Sequence, residues 1–448
     1  MQASSSPGAA TARRWPIPWV VVSVSVGMAL ALLGDSFLYA VLPTRPSSFG
    51  VSVAMVGVLL SINRFVRLLS NPLAAVVFRR FGSRLPFYAA LAATVAATAT
   101  YGLARGFWIL LCARILWGVC FSLLRLGGYV AVLEVSTESS RGFFMGFYQG
   151  VSRLGSLAGV LLGGLLTDLL GQRETILLFA GITALGLPMA LLERGRRAGG
   201  VPVTAARAEQ GGPAPSRRAL ASLRVEPSPP QPSPRPNPLA INYAGFAHGL
   251  VIGGLVTGTL GFLLRDLVGS EVGIWGVTMG VATLTGSLLS LRWFSDLGLG
   301  AYLGHLSDRW GRRRVIVTGL LAVCAALLVL AVARSLTAVI PAAVVLFVAA
   351  TGLTVALDSA AGDLAARTAD VRVMTRYATW LDLGSALGPL VGLALGTAAA
   401  LRVVYMGGGA ILVSAAVLFL LAQRAVAPLA APHAPSALDL NGKRGPLP

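Results

Sequence analysis

Gly304-His305-Leu306-Ser307-Asp308-Arg309-Trp310-Gly311-Arg312-Arg313-Arg314 is the stretch from which the rest of the chain can be read. It joins two apolar runs, about 272–303 and 314–333, and leaves room only for a tight turn. Gly311 supplies the reversal, because glycine reaches backbone angles closed to other residues. Arg309, Arg312, Arg313 and Arg314 hold such a turn on the face of a membrane where basic residues accumulate. Asp308 is placed to pair with a basic group on a neighbouring helix.

The composition agrees with a chain embedded in lipid. Of 448 residues, 55% are hydrophobic and only 12% charged, and the mean hydropathy is +0.76. A soluble domain carries roughly 25% charged residues, so too little polar surface remains here to coat a water-facing globule. The net charge of +19 would suggest nucleic acid in a soluble protein. Here the arginines stand in short runs between apolar segments, and no nucleic-acid partner is expected. Cys112, Cys120 and Cys324 all lie inside apolar runs, and neither a disulfide framework nor a metal site can be built from them.

Outward from the opening turn, apolar runs place twelve helices, since about 20 residues cross a bilayer core of about 30 Å. The first six cover about 18–42, 51–77, 85–104, 107–133, 143–169 and 174–193. The second six cover about 239–264, 272–303, 314–333, 336–361, 376–400 and 403–423. The chain thus divides into a tail (1–17), a six-helix bundle (18–193), a Pro/Arg-rich linker (194–238), a second six-helix bundle (239–424) and a tail (425–448). The linker and the last tail have compositions that cannot bury a core. With the N-terminus inside, the inner segments hold 24 of the Lys and Arg residues and the six outer loops hold one each. That asymmetry puts both tails and the linker in the cytoplasm. The first apolar run lacks a cleavage site and reads as helix 1 rather than a signal peptide.

The chain repeats itself at an offset of 229 residues. Gly57, Leu59, Leu60 and Ser61 fall on Gly286, Leu288, Leu289 and Ser290, and Arg80, Gly82 and Arg84 on Arg309, Gly311 and Arg313. Gly155, Ser156, Gly159 and Gly163 fall on Gly384, Ser385, Gly388 and Gly392. One offset that holds from helix 2 to helix 5 argues for duplicated halves. The fold expected is therefore all-α and membrane-embedded, twelve transmembrane helices in two pseudo-symmetric bundles.

The turn with Gly304, Leu306, Asp308, Arg309, Gly311, Arg312 and Arg313 resembles the major facilitator signature Gly-x-Leu-x-Asp-Arg-x-Gly-Arg-Arg, at the position of its second copy. The first copy departs from the pattern: Arg79 stands where Asp is expected and Ala75 replaces the leading Gly. Three features resemble the drug–proton antiporter branch: Leu110, Arg114, Trp117 and Gly118 in helix 4; Gly155, Gly159, Gly163 and Gly164 in helix 5; Leu33, Gly34 and Pro43 in helix 1. Small residues at such spacing also serve helix packing in general. The resemblance implies a cavity lined by helices 1, 4, 7 and 10, with helix 2 facing 11 and helix 5 facing 8 between the halves.

Charges inside spans are costly and by default face a cavity or a partner. On the cavity helices the resemblance places Asp35, Arg114, Arg125, Asp358 and, in helix 7, His248. Asp35 is the first candidate for a proton carrier and Asp358 the second, because a carboxylate in a partly dry cavity can exchange a proton in the working pH range. Arg114 would tune that carboxylate or hold an anion. Either carboxylate can equally be read as a structural ion pair, and a lone helical His is most often a packing residue. Arg67, Arg153, Asp296 and Asp382 each lie 12 residues from an inner charged position, about 18 Å deep at about 1.5 Å per residue. Two interdomain pairs are the hypothesis drawn from this, Arg67–Asp382 and Arg153–Asp296; the alternative is that some of these side chains face water in the cavity or pair within one half.

The reading that results is a secondary active transporter working by alternating access, a proton-coupled exporter of small organic molecules in the cell inner membrane. It needs protons, a small-molecule substrate and the bilayer, no cofactor, and no second subunit. A proton symporter or facilitator for a metabolite differs only in the direction of flux. A non-transporting sensor or scaffold is the alternative of another class. No nucleotide-binding loop, metal cluster or nucleophile–base pair points to an enzyme.

Overall fold

The computed structural model describes residues 16–82, 84–137, 140–188, 237–274, 277–368 and 372–424. The linker, except 237–238, nearly all of both tails, and the end of the sixth segment (189–193) lie outside the described residues.

Among the described residues there are thirteen α-helices, with Pro238–Val268 counted as one. In the first half they are α1 (Trp19–Val41), α2 (Val53–Phe81), α3 (Arg84–Leu103), α4 (Phe107–Val135), α5 (Arg141–Leu170) and α6 (Gln172–Ala184). The second half holds α7 (Pro238–Val268), α8 (Val281–Gly298), α9 (Gly300–Trp310), α10 (Arg312–Val332), α11 (Leu336–Thr368), α12 (Arg372–Leu393) and α13 (Ala398–Arg424). Among the described residues, eight helices are individually long and apolar enough to cross a membrane. Those that fall short include α8 and α12, which carry Arg292 and Asp296, and Arg376 and Asp382.

Local chemistry fixes the ends. Ser52 caps α2 by accepting from the Met55 amide at 3.4 Å, and Asn237 caps α7 by accepting from the Leu239 amide at 2.9 Å, with Pro238 in the first turn. Gly311 takes φ +87 between α9 and α10, as the signature turn requires.

The eighth segment departs from the sequence reading. Its first part forms a two-stranded antiparallel hairpin, β1 (Glu271–Ile274) with β2 (Val277–Gly280), and helix begins only at Val281. Alternating β-branched residues and glycines form a short apolar run that periodicity cannot separate from helix. The span is also interrupted at Leu299, between α8 and α9. α7 has an insertion as well: Gly249–Val256 is π-helical. The wider register shifts the hydrogen-bond ladder, and the Thr257 hydroxyl takes up the Ile252 carbonyl at 2.6 Å.

Glycines set how closely spans approach. A Cβ at Gly155 would fall 2.1 Å from the Ala29 carbonyl oxygen, and one at Gly384 would fall 2.2 Å from that of Phe246. These repeat-related glycines seat α5 on α1 and α12 on α7. The same symmetry governs the contact between halves. A Cβ at Gly57 would lie 2.7 Å from the Pro389 oxygen and one at Gly286 would lie 2.2 Å from the Val160 oxygen. Both members of these two contacts are related by the 229-residue offset, so the duplication is visible at the level of single atoms.

The halves meet from one end down to mid-depth, where Arg64 of α2 donates to the Gly253 and Ser385 carbonyls. At the end opposite the Arg-rich loops, Gly164 packs on Ala282, where a Cβ would meet the Ala282 oxygen at 2.2 Å. Toward the Arg-rich end, a Cβ at Gly142, Gly146 or Gly150 of α5, or at Gly298 of α8, would meet nothing within 4 Å. The molecule is closed at one end and open at the other.

Candidate functional site

Between the halves, at mid-height, lies a cavity of about 280 Å³. α1 contributes Asp35 and Tyr39, α2 Arg64 and Arg67, α4 Phe121 and Arg125, α5 Tyr148 and Arg153, α7 Thr257, and α8 Arg292 and Trp293. Met28, Leu32, Val160 and Leu289 supply apolar wall.

Asp35 on the wall forms an ion pair with Arg114, which lies behind it. Asp35 is 8% and Arg114 1% exposed. Asp35 also accepts from Asn63 Nδ2 at 3.3 Å, and Arg114 Nε donates to the Leu59 carbonyl at 2.9 Å. The pair therefore ties α1, α2 and α4 together. The aromatic residues are set against the remaining cations: the Arg67 and Arg125 guanidinium carbons lie 4.5 and 5.4 Å from the Phe121 ring centroid, and Arg292 lies 5.1 Å from that of Trp293.

Not every expected residue reaches the cavity. His248 is buried against α11, its Nε2 2.9 Å from Thr354 Oγ1, and it is a packing residue between two spans of one half. Asp358 lies in the part of α11 nearer the Arg-rich end and accepts from Tyr377 Oη at 2.8 Å. It is exposed on the open side rather than set in the cavity wall. Neither interdomain pair is formed. Asp296 accepts from Thr351 Oγ1 at 2.8 Å, within its own half, and Arg67 lies over Phe121. The field of Asp382 acts on Arg67 and that of Arg153 on Asp358, without an ion pair in either case.

In the signature turn Asp308 meets Arg312 at 3.6 Å, largely exposed. Arg312 also pairs with Asp363 and donates to the Ser359 carbonyl at 3.0 Å, which docks the start of α10 on α11. Gly304 packs near Val355, whereas Arg309 and Arg313 make no ion pair among the described residues.

The closed end holds a cluster that the sequence reading passed over. Arg45 and Asp168 form an ion pair at 2.5 Å within the first half. Asp168 then accepts from the Thr283 amide at 2.8 Å and the Thr283 hydroxyl at 2.6 Å, across the interface. Arg265 of α7 donates to the Thr44 carbonyl at 2.5 Å, also across it. Asp168→Asn keeps the shape but removes the charge from these bonds. It is expected to favour opening of this end by about 1.5–3 kcal/mol, read as a longer distance between spin labels at Ser47→Cys and Ser270→Cys. An unchanged distance distribution would mean the cluster does not hold this end shut.

Two pseudo-symmetric helical halves closed at one end over a polar cavity define a duplicated all-α fold. The Major Facilitator Superfamily model matches residues 24–298 and 267–444. The chain belongs to that superfamily. Sequence relatives are partial. The synaptic vesicular amine transporter of Bos taurus is 28% identical over 131 residues, 29% of this chain and 25% of that protein. The uncharacterized MFS-type transporter YhcA of Bacillus subtilis (strain 168) is 25% identical over 167 residues, 37% of this chain and 31% of that protein. The matches thus span about a quarter to a third of the length of these relatives. Among solved structures, a bacterial homologue of the human lysosomal transporter Spinster, inward-facing and occupied, superposes with a TM-score of 0.67 at 17% identity over 91% of this chain and 96% of that one. The nucleoside transporter NupG superposes with a TM-score of 0.66 at 11% identity, over 90% and 99%. These likenesses are likenesses of fold.

Proposed function

We propose that this chain is a proton-coupled exporter of small organic molecules, working by alternating access in the cell inner membrane with its Arg-rich loops in the cytoplasm. The observation that carries the reading is the Asp35–Arg114 pair placed at the wall of a half-open cavity. The positive-inside rule makes the open end cytoplasmic, so the molecule is poised to load from inside. Among the described residues Asp35 is the one acid lining the cavity. A proton on Asp35 would neutralise it and free Arg114, changing the charge of the first half while three spans are loosened from one another. Proton uptake and movement of the halves would then be coupled through a single carboxylate.

Asp358, bonded by Tyr377 and exposed on the open side, is the second candidate. It can exchange protons with that side without breaking an ion pair. The relatives named as amine transporters suggest a cationic substrate, but a wall with several arginines disfavours one.

The test is reconstitution into liposomes under an imposed pH gradient with a solute panel. Asp35→Asn is expected to abolish proton-linked flux, measured at a temperature where thermal unfolding shows the variant folded, because it also strands the buried Arg114. Coupled flux that survives would move the carrier to Asp358. If no solute moves under any gradient, the reading as a transporter of this kind gives way to a sensor or scaffold.

A further inference from the structure

The charges around the cavity do not balance. Within the spans at this level stand Arg64, Arg67, Arg114, Arg125, Arg153 and Arg292, against Asp35, Asp296, Asp358 and Asp382. Arg114 already takes Asp35, and Asp296 and Asp358 are bonded by hydroxyls of their own half. No ion pair among the described residues reaches any of the five arginines that line the cavity.

The unpaired atoms are donors. Arg67 is nine-tenths buried, and its Nε has no hydrogen-bond partner. The same is true of Arg64 Nε and of the Tyr148 hydroxyl, both at the cavity. Buried donors left without acceptors are unfavourable, and uncompensated buried cations more so. A ligand that brings acceptor oxygens and negative charge satisfies both deficits. Arginine is the residue suited to this, because its planar fork matches carboxylate and phosphate oxygens and also stacks on aromatic faces. Phe121 is flanked by Arg67 and Arg125, and apolar and aromatic side chains complete the wall, so the body of the ligand has somewhere dry to lie.

We propose that the cavity selects small organic anions, a carboxylate or phosphate group on an aromatic or otherwise apolar body, with Arg67 and Arg125 as the principal anion contacts. This rests on the transporter reading for the site but not on its proton coupling or its direction.

The experiment is binding to the purified full chain, followed by tryptophan fluorescence and by titration calorimetry. The probes share one ring system and differ in charge: 2-naphthoate, 2-naphthyl phosphate, 2-naphthylmethanol and 2-naphthylmethylamine. Both anions are expected to bind at least about tenfold tighter than the alcohol, and the amine more weakly than the alcohol. Arg67→Gln and Arg125→Gln are each expected to weaken the anions by about tenfold or more, the scale of a charged hydrogen bond. They should leave the alcohol unchanged. Arg125→Gln is the safer variant, because Arg125 is only half-buried, and Arg125→Lys should restore part of the loss. Anions that bind no tighter than the alcohol, or an amine that binds tightest, would overturn the proposal. Coupled flux of an amine in liposomes would overturn it while leaving the exporter reading intact. Anion binding without any flux would sink the exporter reading and leave this one standing.

Discussion

Arg114→Leu, made alone, is expected to destabilise the protein by about 3–5 kcal/mol, because it strands Asp35 as a buried, uncompensated carboxylate. The residues that remain around Asp35 cannot replace the lost charge: Asn63 donates a single bond at 3.3 Å, and the site is 8% exposed. The substitution also frees the Leu59 carbonyl, which Arg114 Nε satisfies at 2.9 Å. Arg114→Leu combined with Asp35→Leu is expected to recover most of the loss, since replacing both ions by apolar groups is often close to neutral. Thermal unfolding in detergent of the wild type, both single variants and the double variant gives the coupling directly. A single-variant loss below about 1 kcal/mol would place the pair with exposed ion pairs and remove the basis for treating it as a buried latch.

Gly286→Leu and Gly164→Leu are expected to abolish transport while leaving each half folded. Both glycines sit where the first carbon of any side chain would fall 2.2 Å from a carbonyl oxygen of the opposite half. Backbone cannot rotate aside as a side chain can, so the halves must part at this end. Overpacking of this kind costs about 1–3 kcal/mol, and the upper figure depletes the closed-end state roughly a hundredfold. The same pair of spin labels at positions 47 and 270 should report a longer distance in both variants, with turnover lost in proportion. A normal distance with lost turnover would point to a local defect instead. Gly142→Ala is the natural control, because a Cβ there meets nothing within 4 Å.

What was legible in the sequence was whatever depends on spacing along the chain. The 229-residue offset anticipated the matched contacts of Gly57 with Pro389 and of Gly286 with Val160. Counting residues from the charged loops gives Arg67, Arg153, Asp296 and Asp382 an expected depth but no direction. Spacing does not give rotation about a helix axis, and rotation decides partners: Arg67 turns to Phe121 and Asp296 to Thr351. The π-helical stretch in α7 adds to this, since a change of register turns every later side chain. The β1–β2 hairpin stayed hidden because Glu271–Gly280 is as apolar as the helix that follows it. The Arg45–Asp168–Thr283 cluster brings together residues from three distant parts of the chain, and no local pattern marks it.

The two bonds that Arg64 makes across the cavity differ in character from the rest. Arg64 of the first half donates to the main-chain oxygens of Gly253 at 2.5 Å and Ser385 at 2.8 Å in the second. Main-chain oxygens stay unprotonated at any pH at which carboxylates titrate, and no substitution of a side chain deletes them. The halves are thereby moored at mid-depth by a contact whose acceptors carry no titratable proton.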